Sequence, residues 1–198
     1  MHFTVEAQTI ATRYLTVGSI AIDATCGNGF DTLFLAGQVG RSGIVYGVDI
    51  QERAIETSRK KLHEADLLPQ CRLVVGSHSH LTSIIEPVHV GRISVVMFNL
   101  GYLPLGDKSI VTKPETTVNA LEQAVELVRP GGLVSILAYP GHAGGLEEAN
   151  CIATWVGRCE LIFHAEKFQD SNNGNSPILW ALTIESLITP TPASLPRG

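Results

Sequence analysis

The stretch that most constrains this chain is Ala21-Ile22-Asp23-Ala24-Thr25-Cys26-Gly27-Asn28-Gly29-Phe30-Asp31. A short apolar run, 19–24, ends in an acid and breaks into a loop with two glycines one residue apart. Residues 30–39 then carry Phe30, Leu33, Phe34 and Ala36 at helical spacing, so the pattern predicts a strand, a tight turn and a helix. Glycine permits positive φ and lets a ligand approach with no Cβ in the way. Such a unit places a nucleotide-like ligand over the carboxyl end of the first strand of an open α/β sheet.

The loop's letters narrow the ligand. A dinucleotide site wants Gly-x-Gly-x-x-Gly, with backbone amides and a helix N-terminus facing a pyrophosphate. Here Thr32 stands where the third glycine would be, and two carboxylates, Asp23 and Asp31, flank the loop. Negative charge repels a diphosphate but suits a ligand bearing an amino group and a sulfonium, and S-adenosylmethionine (SAM) is such a ligand. The second strand, 43–48, ends in Asp49, placed to accept both ribose hydroxyls. The predicted cofactor-binding residues are Asp23, Thr25, Gly27, Asn28, Gly29, Asp31, Asp49 and Gln51, with His78 and Ser79 at the adenine edge and Asn99 beside them. Turn glycines and a strand-ending acid with no ligand at all would give the same letters.

Composition sets outer bounds. At 198 residues, 44% hydrophobic and 17% charged, the chain reads as one folded domain, 1–186, rather than a disordered one. The net charge of −5 argues against a surface that binds nucleic acid all over, while leaving room for a local basic patch. No apolar run approaches the ~20 residues of a membrane span. No secretory signal is read at the N-terminus, and a cytoplasmic location is expected. The four cysteines, Cys26, Cys71, Cys151 and Cys159, form no C-x-x-C pair and read as reduced, packed thiols. His78 and His80 are close in sequence, but no cysteine joins them, and no metal site is expected.

Along the chain, residues 4–15 predict a first helix and 51–65 a second helix after the glycine-loop unit. Residues 72–76 predict a third strand with a turn at 77–81, and 81–86 a short helix stopped by Pro87. The almost wholly apolar 92–98 reads as a central parallel strand. A long loop, 99–113, leads to a helix at 114–128 with Pro114 in its first turn. Arg129-Pro130-Gly131-Gly132 predicts a turn, 133–139 a fifth strand, and a glycine-rich turn then opens a helix to about Val156. Residues 160–168 and 178–186 read as two strands whose join is too short for a helical crossover, hence antiparallel. The fold class is therefore α/β: a doubly wound, mostly parallel sheet with an antiparallel C-terminal edge hairpin. The proline-rich tail, 187–198, is expected to be disordered.

Candidate chemistry follows strand ends. After the fourth strand comes Asn99-Leu100-Gly101-Tyr102-Leu103-Pro104. An amine to be methylated needs acceptors that hold its hydrogens and aim its lone pair. An asparagine oxygen can do this, and an aromatic three residues on can stack on a planar base. This looks like the Asn-Pro-Pro-Tyr motif of amino-methyltransferases, with Leu-Gly replacing Pro-Pro. A turn-capping Asn and a packing Tyr would read alike. His142, beyond Tyr139, is placed to take the amine proton, or stands merely exposed in its glycine turn. Asn99, Tyr102 and His142 are the predicted catalytic residues. Asn172-Asn173-Gly174-Asn175-Ser176-Pro177 is either a hairpin turn or a loop reaching over the pocket.

Four motifs occur together: Asp-Ala-Thr-Cys-Gly-Asn-Gly (23–29), Asn-Leu-Gly-Tyr-Leu-Pro (99–104), Lys-Pro-Glu-Thr-Thr (113–117) and Tyr-Pro-Gly-His-Ala-Gly-Gly (139–145). In this the chain resembles the small class I methyltransferases grouped as rRNA methylases, over about residues 4–184. Pro140 and Ala143 depart from the family's Tyr-His-Gly-His-Pro pattern. Members of that family are tRNA methyltransferases that finish 5-methylaminomethyl-2-thiouridine at the wobble position. The resemblance implies methyl transfer from SAM to the aminomethyl nitrogen of an anticodon uridine, with tRNA as partner. Arg53, Arg59, Lys60, Lys61, Arg72, Lys108, Lys113 and Lys167 would supply a phosphate-binding patch, or a homodimer would assemble one, while solvated helix faces would account for most of these charges equally well. Rival readings are methylation of another RNA or of a small-molecule amine, and a non-catalytic SAM-binding subunit.

Overall fold

A computed structural model describes residues 3–101, 111–159, 162–170 and 175–185. The elements run α1 (Phe3–Thr12), β1 (Ile20–Asp23), α2 (Phe30–Val39), β2 (Ile44–Asp49), α3 (Glu52–Glu64), β3 (Cys71–Val75), α4 (Leu81–Ile84), β4 (Ile93–Asn99), α5 (Pro114–Leu127), β5 (Val128–Ala138), α6 (Gly145–Arg158), β6 (Phe163–Gln169) and β7 (Ile178–Ile184). The tail, Tyr102, Lys108 and the 172–174 part of the polar loop lie outside the described residues.

Seven strands form one sheet in the order β3-β2-β1-β4-β5-β7-β6. β1 to β5 are mutually parallel, and β7 pairs antiparallel with both β5 and β6. The reversed strand is therefore one place in from the edge. The short β6–β7 join forces that hairpin antiparallel, and β6 ends up outermost.

Strand alternation explains the two-sided core. Ala21, Val45, Val95 and Met97 face the cluster built with α1, α2 and α3. Ile22, Tyr46, Val96 and Phe98 face the cluster built with α4, α5 and α6. β4 is buried along Ile93–Phe98, which is why its sequence is apolar there apart from Ser94.

The predicted turn at 129–132 is instead carried within β5. Pairing with β4 steps from Ile93↔Val128 to Val95↔Leu133, so these residues bulge opposite Ser94 without ending the strand. Gly132 is required there, since a Cβ would come within 2.5 Å of Val128 Cγ1 and 2.9 Å of the Ser94 carbonyl. The parallel order changes direction at β1 and β4, which puts a crevice at the carboxyl ends of those strands.

Candidate active site

A cleft of about 860 Å³ opens at that crevice. It collects residues from the ends of β1, β2, β3, β4 and β5 and from the 175–177 turn, so elements far apart in sequence share one wall.

The glycine loop is fixed by side chains rather than by a third glycine. Thr32, fully buried, donates from Oγ1 to Asp23 Oδ2 at 2.6 Å and touches Cys26 Sγ at 3.0 Å. The Thr25 amide donates to Asp23 Oδ1 at 3.2 Å. Cys26 Sγ donates to Ser58 Oγ at 3.2 Å, which donates to the Gly27 carbonyl at 3.1 Å. Gly29 caps α2 at φ 77°, and a Cβ there would come within 2.9 Å of the Ser58 Cα. The freed Gly27 amide donates to Asp49 Oδ2 at 2.8 Å, and the Gln51 amide donates to Asp49 Oδ1 at 2.9 Å. Each Asp49 oxygen thus holds one internal donor and retains a lone pair for an outside hydroxyl.

Three carboxylates crowd this corner. Burial, then the charge of Asp31, pushes Asp23 up to about 7. Burial also raises Asp31 and Asp49. Burial pushes the Cys26 thiol up to about 12, which keeps it protonated and unreactive. Such a site is short of positive charge.

Asn99 ties the end of β4 to the glycine loop and to the first turn of α2. Its backbone amide donates to Thr25 Oγ1 at 2.7 Å, and its Nδ2 donates to Asp31 Oδ2 at 3.4 Å. Gln8, from α1, donates from Nε2 to Asp31 Oδ1 at 2.7 Å. His78 lines the cleft, and its buried Nε2 has no hydrogen-bond partner among the described residues. Burial pulls its pKa down to about 4, so the ring is neutral and offers one donor or one acceptor. Across the cleft, His142 and Tyr139 lie against Gly101, where a Cβ would stand 3.4 Å from His142 Nε2.

The structure therefore brings Thr25, Gly27, Asn28, Asp31, Asp49, Gln51, His78, Asn99 and His142 to one cleft. Asp23 and Gly29 stand behind it and shape the loop. Ser79 is buried outside the lining, its carbonyl accepting from Gln123 Nε2 at 2.6 Å and its hydroxyl 2.8 Å from Ser77 Oγ. Sequence reasoning missed Gln8, Thr4, Ile50 and Thr112. Ile50 is 60% exposed directly after Asp49, an apolar shelf that its position beside that acid could have flagged. The Thr112 amide donates to the Gly101 carbonyl at 3.0 Å, and its hydroxyl accepts from the Gly101 amide at 2.9 Å and donates to buried Glu148 at 2.7 Å. Nothing in the local sequence pointed to that pairing.

Residues 45–183 match the family described as "Putative rRNA methylase". The chain belongs to this family. A Clostridium thermocellum structure bearing the same rRNA-methylase description aligns at TM-score 0.87 and 36% identity, over 91% of this chain and 96% of that one. A Streptococcus mutans methyltransferase of known structure, in complex with SAH, aligns at TM-score 0.80 and 29% identity, over 91% of this chain and 97% of the other. The fold of this rRNA-methylase-family chain is thus that of the class I SAM-dependent methyltransferases. The chloroplastic tRNA (mnm(5)s(2)U34)-methyltransferase of Arabidopsis thaliana is 37% identical over 182 residues, 87% of this chain. The family member in hand spans 66% of that plant protein's length.

Proposed function

We propose that this chain is a SAM-dependent N-methyltransferase acting on tRNA, with the aminomethyl group of 5-aminomethyl-2-thiouridine at the wobble position as its target. The observation that carries the reading is Asn99. Its side chain sits in the acid-lined cleft, bonded to Asp31, and its backbone is tied to the cofactor loop through Thr25.

The cleft's donor set fits SAM. Asp49 would take the ribose hydroxyls with its free lone pairs. His78 Nε2, without a partner among the described residues, would meet the adenine edge. The carboxylates would offset the cofactor's positive charge. Bound SAM supplies an electrophilic methyl on a sulfonium. The protein's own work is alignment: Asn99 holds the amine, and the walls exclude water from it. A wobble base lies in a single-stranded loop, so presenting it to a cleft takes little unstacking energy.

The acidic chain is compatible with RNA if its cations are local. Arg53, Arg59, Lys60, Arg72, Lys113 and Lys167 are exposed, and Lys113 lines the cleft. Lys61 is engaged, donating to the Asn28 carbonyl at 2.8 Å and lying 3.6 Å over the Phe30 ring. A homodimer would bring two such sets together. Among the described residues no helix is long and apolar enough to cross a membrane. A cytoplasmic site of action goes with this reading, although the plant relative is named as chloroplastic.

The test is methyl transfer from labelled SAM to tRNA lacking its final wobble methyl, followed by nucleoside analysis. Label in 5-methylaminomethyl-2-thiouridine is expected. Asn99→Ala should abolish that label while SAM binding stays close to wild type. Label in another nucleoside would move the target, and transfer only to small amines would replace tRNA with a metabolite. Equal loss of transfer and SAM binding in Asn99→Ala would remove Asn99 from the amine.

A further inference from the structure

We propose that Asp31, two residues into α2, serves the substrate amine rather than the cofactor: it sets the Asn99 amide and accepts the proton that the incoming ammonium must lose. The proposal rests on the amine-methylation reading above and gives the proton to a group bonded to Asn99 itself, where the sequence had pointed to His142.

Among the described residues both hydrogen-bond partners of Asp31 are amide NH₂ groups, Gln8 Nε2 at 2.7 Å on Oδ1 and Asn99 Nδ2 at 3.4 Å on Oδ2. An ionised carboxylate only accepts, so it can meet Asn99 only through the amide nitrogen. That fixes the flip of Asn99 and turns its Oδ1 away from Asp31, free to accept an N–H. Each Asp31 oxygen keeps a further lone pair. The residue lines the cleft yet is only 7% exposed, so its charge is little screened by water.

The chemistry demands such a group. An alkylamine arrives near neutral pH largely as the ammonium, whose nitrogen has no lone pair to give. An N–H bond breaks, its electron pair stays on nitrogen, and the proton forms an O–H bond with Asp31. The neutral amine and the neutral carboxyl result, and the carboxyl then returns its proton to solvent. Burial raises the affinity of Asp31 for that proton and so eases the transfer. Among the described residues, the groups facing Asp31 are Gln8 from α1, Asn99 at the end of β4, Asp23 at the end of β1, and the Tyr139 phenol beyond β5. None of them is a cation that would hold Asp31 ionised against the incoming proton.

The test compares wild type, Asp31→Asn and Gln8→Ala on tRNA carrying 5-aminomethyl-2-thiouridine. Asp31→Asn is expected to lower kcat at pH 7 by about 100-fold or more, the range of a lost general base. The deficit should shrink toward pH 9.5, where the amine deprotonates unaided. The affinity for SAH should stay within about threefold of wild type. The SAH-saturated wild type should also bind the aminomethyl tRNA more tightly than tRNA with plain 2-thiouridine, and Asp31→Asn should lose that preference. Gln8→Ala, which leaves Asp31 in place, should show the same pattern more weakly and covers the case in which Asp31→Asn does not fold. Asp31→Asn with kcat within threefold of wild type, or with SAH affinity falling in step with kcat, would overturn the role of Asp31 alone. Wild-type protein inactive on this tRNA would overturn the substrate reading, and the proposal with it.

Discussion

Gly29 and Gly144 both precede a helix in the left-handed region, at φ 77° and 81°, yet they are not equivalent. Around Gly144 a Cβ would meet nothing within 4 Å, so Gly144→Ala carries conformational strain alone, about 1–2 kcal/mol. At Gly29 the added carbon would come within 2.9 Å of the Ser58 Cα, and a backbone atom cannot rotate aside. The same strain plus an overpacking penalty of about 1–3 kcal/mol is expected. Each kcal/mol lowers Tm by roughly 2–4 °C in a chain of this size. Gly29→Ala should therefore melt well below Gly144→Ala, and it should lose SAM binding as Gly27 is drawn off Asp49. Equal melting temperatures for the two variants would show that Ser58 yields. The pair of glycines was readable from sequence because only their backbone freedom is needed there. The reason Thr32 can replace a third glycine was not readable: its hydroxyl locks Asp23, a contact that requires the helix and the strand to be in place.

At the scale of elements, α5 and α6 meet at one buried carboxylate. Glu148, 1% exposed in the first turn of α6, accepts from Thr117 Oγ1 at 2.6 Å and from Thr112 Oγ1 at 2.7 Å. Thr112 is in turn bonded to Gly101, so the joint holds the segment that leaves β4 beyond Asn99. Hydrogen bonds to a charged group contribute about 1.5–3 kcal/mol each. Glu148→Ala should lower the free energy of unfolding by about 3–5 kcal/mol in urea titrations, since it also strands the buried Thr117 hydroxyl and the half-buried Thr112 hydroxyl. Glu148→Gln, which keeps one carbonyl acceptor, should lose less than half of that. A loss below about 1 kcal/mol for Glu148→Ala would mean that apolar packing alone joins the helices. Sequence reading placed most strands and helices within a turn of their observed ends, because apolar runs and helical spacing are local signals. It missed this joint because the partners of Glu148 lie 31 and 36 residues away. It also took 129–132 for a turn, because Pro130 and two glycines look alike whether the chain reverses or bulges within a strand.

For the whole molecule, the acid-lined cleft ties stability and ligand affinity to pH with opposite signs. The Asp23 carboxyl titrates near 3.8 when unfolded and near 7 when folded, with burial as the main cause and Asp31 next. Its folded-state pKa is raised, so its contribution to stability is complete below about 3.8 and is lost as pH rises to about 7. The loss runs at about 1.4 kcal/mol per pH unit, and above about 7 it levels off. Without ligand, the wild-type Tm should fall between pH 5 and 7 relative to Asp23→Asn, by roughly 2–4 °C for each kcal/mol. Bound SAM reverses the balance, because its positive charge favours the ionised carboxylates of Asp23 and Asp49. The thermal shift that SAM produces should therefore grow with pH over the same window, and SAM affinity should tighten several-fold between pH 5.5 and 7.5. SAH, which lacks the sulfonium charge, should show a shallower pH dependence. Thermal scans of wild type and Asp23→Asn, with each ligand and without, would measure all of these slopes in one series. Parallel slopes for wild type and Asp23→Asn would remove Asp23 as the titrating group. Equal pH dependence for SAM and SAH would mean that the corner answers to the amino acid portion of the ligand and not to the charge on its sulfur.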